Sequence, residues 1–170
     1  VAKNKLEQHY CDSGVFISFF NKEPENYQKA KNLFLAAQGN QIELFTSTHT
    51  MAEVFYIKDE YYEQPLTDEE KEKVIKDLFN NDWIILIGFD RETAEISRHL
   101  CRKFQLSPFD ALHLSTAVRK QVDYFDTFDN KLENIIKNQS HNGVADSPPL
   151  YNKGVILQEP VVHGWTNSLF

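Results

Sequence analysis

The chain has 170 residues, 41% hydrophobic and 13% aromatic, with a formal net charge of −7. This is one domain's length with apolar material for a sizeable core, which excludes an intrinsically disordered chain. The acidic balance argues against a broad basic face as the main nucleic-acid-binding device, and the longest apolar run, residues 83–89, is too short to span a bilayer. A nuclease that gathers carboxylates around divalent cations is also acidic, so charge leaves that class open. Two cysteines, Cys11 and Cys101, are too few for a disulfide framework or a zinc site. They read as small buried hydrophobes in a reducing cytosol.

Residues 1–8 form a polar leader, and residues 9–160 read as one domain. Within it, "HYC" predicts a short strand over 9–11, and "SGVFISFF" a turn followed by a helix. Pro24 is expected to open the next helix, in which Tyr27, Ala30, Leu33, Phe34 and Ala37 recur at helical spacing until Gly39. "IELFTS" is a strand, followed by a helical pattern over 48–58. Thr67 and Glu70 make a capping box ahead of a helix with Val74, Ile75, Leu78 and Phe79 on one face. "WIILI" is a continuous apolar strand, the pattern of burial on both faces of a parallel sheet. Asp90 caps a helix that turns Ile96 and Leu100 inward, and Ser107 with Pro108 starts another over 108–120. "YF" is a short strand, "NKLENIIK" a short helix and "GVIL" a final strand. A polar surface excursion is read over 138–153, and an apolar tail over 161–170. Strands alternating with helices predict an α/β fold, a parallel sheet covered on both faces.

Four acids fall where such a sheet forms sites, beyond the carboxyl ends of its strands. Asp12 follows the first strand, Glu53 lies on the helix after the second, Asp110 is the third residue after the Ser107 cap, and Asp129 follows the strand "YF". Carboxylates brought together repel, and a hard divalent cation removes that conflict. Such an ion activates water and offsets charge on a phosphoryl group, which points to phosphate-ester chemistry. A plainer account exists for some of them. Asp110 also suits a capping box with Ser107, and Asp12–Ser13 an ordinary strand-to-helix turn.

Taken together, "YCDSGVFISFF", "TSTHTMAEVFY", "LSPFDALHLSTAV", "DYFDTFDNKL" and "GVIL" resemble the PIN-domain family of metal-dependent nucleases, which includes the VapC-type toxins. The resemblance implies a three-layer α/β/α sandwich and a cluster of Asp12, Glu53, Asp110 and Asp129 holding Mg2+ or Mn2+. It implies an endoribonuclease that hydrolyses RNA phosphodiester bonds with a metal-activated water, leaving 5′-phosphate and 3′-hydroxyl ends. Ser13 and Thr127 stand at the hydroxyl positions that accompany the first and fourth acids. Asp126 is an extra acid before Thr127 and leaves the fourth ligand open between Asp126 and Asp129, with Asp129 ranked first. The family further implies an antitoxin protein as partner, a homodimer, and a cytoplasmic protein without a membrane segment. Its alternative is a non-catalytic PIN-like module that binds RNA or protein. An aspartyl-phosphate domain is disfavoured, because no Asp-x-Asp pair follows the first strand.

Other candidates are weaker. His113, three residues after Asp110, reads better as a helix residue packed beside the sheet, its ring satisfied locally, than as a substrate contact. His49 and His99 show no spaced partner for metal binding. Arg98, Arg102, Lys103, Arg119 and Lys120 read as a solvated helix face. No Gly-rich phosphate loop and no nucleophile elbow is found.

Overall fold

The computed structural model describes residues 5–139 and 154–163. Five parallel strands, β1 (Glu7–Cys11), β2 (Ile42–Ser47), β3 (Ile84–Ile87), β4 (Tyr124–Asp126) and β5 (Ile156–Gln158), lie in the order β3-β2-β1-β4-β5. Between and after them run α1 (Ser13–Phe20), α2 (Tyr27–Gln38), α3 (Thr48–Glu53), α4 (Asp68–Phe79), α5 (Arg91–Phe104), α6 (Pro108–Lys120) and α7 (Asn130–Gln139). Because side chains alternate along a strand, neighbouring residues feed opposite layers. Tyr10, Phe45, Phe125 and Leu157 pack with Ile96, Leu100, Leu114, Leu132 and Ile136 of α5, α6 and α7. Cys11, Ile42, Leu44 and Ile84 pack with Phe16, Leu33, Phe34, Ile75 and Phe79 of α1, α2 and α4. Two cores on the two faces of one sheet make the expected α/β/α sandwich.

Local chemistry fixes most helix starts. Asp12, Ser47, Thr67, Asp90 and Ser107 each stand in extended backbone and accept a hydrogen bond from an N–H of the first turn. The Thr67–Glu70 box is complete in both directions. Cys11 and Cys101 are free thiols, the first buried and the second half-buried.

Four local expectations are corrected. Strand β1 starts at Glu7, two residues earlier than read, because Glu7 and Gln8 pair with Ile42 and Glu43. Pro24 sits in a turn, and α2 begins only at Tyr27. The Glu23 carbonyl accepts from the N–H groups of Asn26 and Tyr27, closing that turn first. Helix α3 stops at Glu53 and does not reach Lys58. Beyond it the chain extends so that Val54 and Ile57 drop into the α1/α2/α4 core, and the Lys58 N–H is taken by Asn21 Oδ1 at 2.8 Å. Strand β3 is an edge strand, with Ile85 and Leu86 exposed, so its apolar run does not mean burial on both faces. The excursion over 138–153 and the tail over 161–170 lie mostly outside the described residues.

Candidate metal centre

The sheet delivers three chain segments to its carboxyl edge. Strand β1 ends at Cys11, so Asp12 follows directly, and the parallel pairing sets it beside the end of β4. The Asp12 N–H donates to the Asp126 carbonyl at 3.3 Å. Its carboxylate caps α1, with Oδ1 accepting from the Val15 N–H at 3.2 Å, and it is only 8% exposed. Burial pushes this carboxyl up to about 6, helped by the charge of Asp129; the Thr127 hydroxyl, His113 and the Val15 N–H pull the other way. Gly14 keeps the space open, since a Cβ there would lie 3.2 Å from Asp12 Oδ1.

Strand β2 leads into α3, whose last residue is Glu53. Burial disfavours its charge, but the hydrogen bond and charge of His113, the Ser13 hydroxyl and His49 outweigh that, leaving the carboxyl below its ordinary value. Strand β4 leads to Thr127 and Asp129. The Thr127 hydroxyl bonds Asp12, and its oxygen accepts from the Asp129 N–H at 2.9 Å. Asp129 is exposed, and its Oδ1 accepts from the N–H groups of Lys131 and Leu132 at the start of α7. The hydroxyls of Ser13 and Thr127 thus tie the first acid's neighbourhood to the second and fourth acids.

Asp110 is placed by α6. Its Oδ2 accepts the Ser107 hydroxyl at 2.7 Å while its N–H donates to Ser107 Oγ at 3.2 Å, so the capping arrangement is formed. It stands one turn before His113, on the same helix face. Asp126 is turned elsewhere. Phe125 enters the α5/α6/α7 core, so the next side chain points to the other face, where Asp126 is fully buried. Its Oδ2 meets His9 Nδ1 at 2.7 Å and its Oδ1 accepts from Gln158 Nε2 at 3.0 Å. Burial raises this carboxyl; burial alone would lower His9, but Asp126 and Glu7 hold the ring above its usual value.

His113 is 4% exposed and bridges two elements. Nδ1 lies 2.9 Å from the Tyr10 hydroxyl and Nε2 lies 2.6 Å from Glu53 Oε2. His49 comes within 3.7 Å of Glu53 Oε1, and Phe109 stacks on its ring with centroids 5.3 Å apart. Among the described residues, His49, Glu53 and His113 are the one set of three whose ligand atoms lie within 4.8 Å of one another. The four acids do not gather that tightly. Arg119 is engaged by Asp90 at 2.8 Å and Glu92 at 2.9 Å.

The model of the PIN domain matches residues 9–138. This chain belongs to the PIN domain family. No curated protein sequence matches it, and its solved neighbours are distant. The PIN domain here superposes on Mycobacterium tuberculosis VapC20, described as a sarcin–ricin loop cleaving toxin, with a TM-score of 0.57 at 12% identity, covering 74% of this chain and 93% of that one. VapBC2 of Rickettsia felis, bound to a DNA fragment from its promoter, gives 0.58 at 16% identity, covering 88% and 98%. A toxin–antitoxin complex from Klebsiella pneumoniae gives 0.52 at 20%, covering 72% and 88%. At these identities the likeness is one of fold. The sequence alone leaves His49 without a partner and reads the His113 ring as satisfied locally. His49 does have a readable signal, an i,i+4 position before Glu53 on one helix. The partners of His113 lie 60 and 103 residues away and carry no local signal.

Proposed function

We propose that this PIN domain is a Mg2+- or Mn2+-dependent endoribonuclease, the toxin of a cytoplasmic toxin–antitoxin pair. One observation carries the reading: Asp12, a buried carboxylate pushed up to about 6 by its surroundings, with Asp129 adding negative charge. An arrangement that resists its own ionisation is one that a doubly charged cation stabilises. Asp12, Glu53, Asp110 and Asp129 supply the hard oxygen donors that such an ion takes. When bound, the cation supplies Lewis acidity, activating water and offsetting charge on the phosphodiester.

The chain's own residues prepare that site. Val15 N–H and the Thr127 hydroxyl fix the Asp12 carboxylate, and Ser13 with His113 holds Glu53 ionised. Thr127 also anchors the backbone of Asp129, the acid we assign as fourth, because both oxygens of Asp126 are engaged by His9 and Gln158. Asp110 sits in the first turn of α6, and a cation would compete with the Ser107 hydroxyl for its oxygen. RNA as substrate and an antitoxin as partner are supported by the neighbours of this fold, one described as cleaving the sarcin–ricin loop and one as a toxin–antitoxin complex. Homodimerisation belongs to the same reading. Among the described residues no helix is long and apolar enough to cross a membrane.

The test is cleavage of single-stranded RNA in Mg2+ or Mn2+, with and without EDTA, beside Asp12→Asn and Asp110→Asn proteins shown to be folded. Cleavage that stops with EDTA and in both variants is the expected result. Equal cleavage by parent and variants overturns the mechanism; cation binding without any cleavage marks a non-catalytic module instead.

A further inference from the structure

Helices α3 and α6 add a different kind of donor beside the acids. His49, one turn before Glu53, and His113 approach opposite oxygens of the Glu53 carboxylate, at 3.7 and 2.6 Å. Among the described residues, His49 Nε2 is closed to solvent and finds no hydrogen-bond partner. A buried ring nitrogen left unpaired is costly and calls for a reason. The ring is not loose: Phe109 lies nearly parallel to it at 11°, and the His113 ring stands 5.2 Å away.

We propose that His49, Glu53 and His113 form a binding site for a first-row transition divalent cation of the zinc, cobalt and nickel class. Two imidazoles and one carboxylate are a three-ligand set that leaves a position open for water or substrate. Imidazole nitrogen favours these borderline ions, whereas Mg2+ takes oxygen donors. Bonds of about 2.0–2.1 Å in a tetrahedral site put donor atoms roughly 3.4 Å apart. The three ligand atoms here, one from each residue, lie within 4.8 Å of one another. Coordination would draw the side chains together by roughly an ångström or more.

The surroundings of His113 suit the role. Its Nδ1 faces the buried Tyr10 hydroxyl at 2.9 Å, and that hydroxyl also bonds Ser47 and Thr50. Loading an ion would displace the Nε2–H that now faces Glu53; with the remaining ring proton on Nδ1 and donated to Tyr10, Nε2 would be free to ligate, the outer-partner arrangement that orients metal-bound histidines. This site goes beyond the nuclease reading. It shares Glu53 with that reading and adds two histidines that Mg2+ would not select.

The probe is Co2+ added to the metal-stripped full chain. A visible absorption band of a nitrogen-ligated ion is expected, saturating at a single equivalent, displaced by Zn2+ and persisting in a large excess of Mg2+. His49→Gln and His113→Gln should each weaken Co2+ binding by more than the roughly tenfold that loss of an outer partner costs. Asp129→Asn should keep the band. Absence of the band, or an unchanged band in His49→Gln, overturns the site; His49 is half-buried on a short helix, so that variant decides even where His113→Gln fails to fold. Mg2+-dependent RNA cleavage, measured on the same metal-stripped chain before Co2+ is added because both sites use Glu53, separates the two readings. Cleavage without a Co2+ band refutes this site alone, and a band without cleavage refutes the nuclease alone.

Discussion

Asp12 is where stability and function oppose each other. Its folded value of about 6 lies above the ordinary carboxylate value, so the folded chain holds a proton that the unfolded chain releases. Stability is therefore full below the unfolded value and falls as pH rises toward about 6. The displacement corresponds to at most about 3 kcal/mol in the metal-free protein. Asn is as good a helix cap as Asp, so Asp12→Asn removes the charge and keeps the cap. The variant should be more stable than the parent at pH 7.5 by up to about 3 kcal/mol, with the gap closing near pH 4. Its RNA cleavage should fall on the order of a hundredfold or more. Urea melts at both pH values with a cleavage assay check both halves; a variant less stable at pH 7.5 would show that the carboxylate is satisfied without a cation. Gly14 gives a second separation. Alanine normally stabilises a helix by about 0.5–1 kcal/mol over glycine. Here its Cβ would press on Asp12 Oδ1 from 3.2 Å. Gly14→Ala should keep or raise the melting temperature while lowering cation affinity, measured by Mn2+ calorimetry.

At the scale of elements, the end of β4 carries two acids with different work. Asp126 joins β4 to β1 through the fully buried His9 and to β5 through the half-buried Gln158. Asp129 starts α7 through the Lys131 and Leu132 N–H groups. Asp126→Asn should cost roughly 2–4 kcal/mol by breaking a buried pair, with cleavage per folded molecule retained. Asp129→Asn, still a good cap, should leave stability within about 1 kcal/mol and abolish cleavage. Chemical denaturation and activity normalised to the folded fraction distinguish them; the reverse pattern would make Asp126 the fourth ligand. The same elements show what a sequence can disclose. The caps at Thr67, Asp90 and Ser107 were legible because a cap and its partner lie within one turn. The places of Asp12 and Asp129 past β1 and β4, and of Asp110 in the first turn of α6, were legible for a similar reason, since each follows a readable element. The edge position of β3 was not legible, because strand order is decided by pairing with β2 and leaves the residues of β3 itself unmarked. Nor was the early end of α3, where the core's demand for Val54 and Ile57 overrides a helical pattern. His113 looked like a packing residue, and it is buried, yet its ring is claimed by Tyr10 and by Glu53 from distant segments.

For the whole molecule, if the acids at the carboxyl edge of the sheet hold a cation as proposed, global stability should report its binding. An ion that binds only the folded state at 100 times its dissociation constant adds about 2.7 kcal/mol. For a chain of this length that is a rise in melting temperature of about 5–10 °C. The rise should itself depend on pH, and the sign follows from Asp12. Below about 6 its carboxyl holds a proton that a cation must displace, while Glu53, kept below its ordinary value by His113 and Ser13, stays ionised and ready. Mn2+ should therefore stabilise the protein more at pH 7.5 than at pH 5. EDTA should erase the gain, and Asp12→Asn should lose most of it at pH 7.5. Differential scanning calorimetry of the parent and of Asp12→Asn at both pH values measures this directly. A stabilisation that is equal at the two pH values, or intact in the variant, would mean that the cation binds without Asp12 and that the edge of the sheet is not where the acids act together.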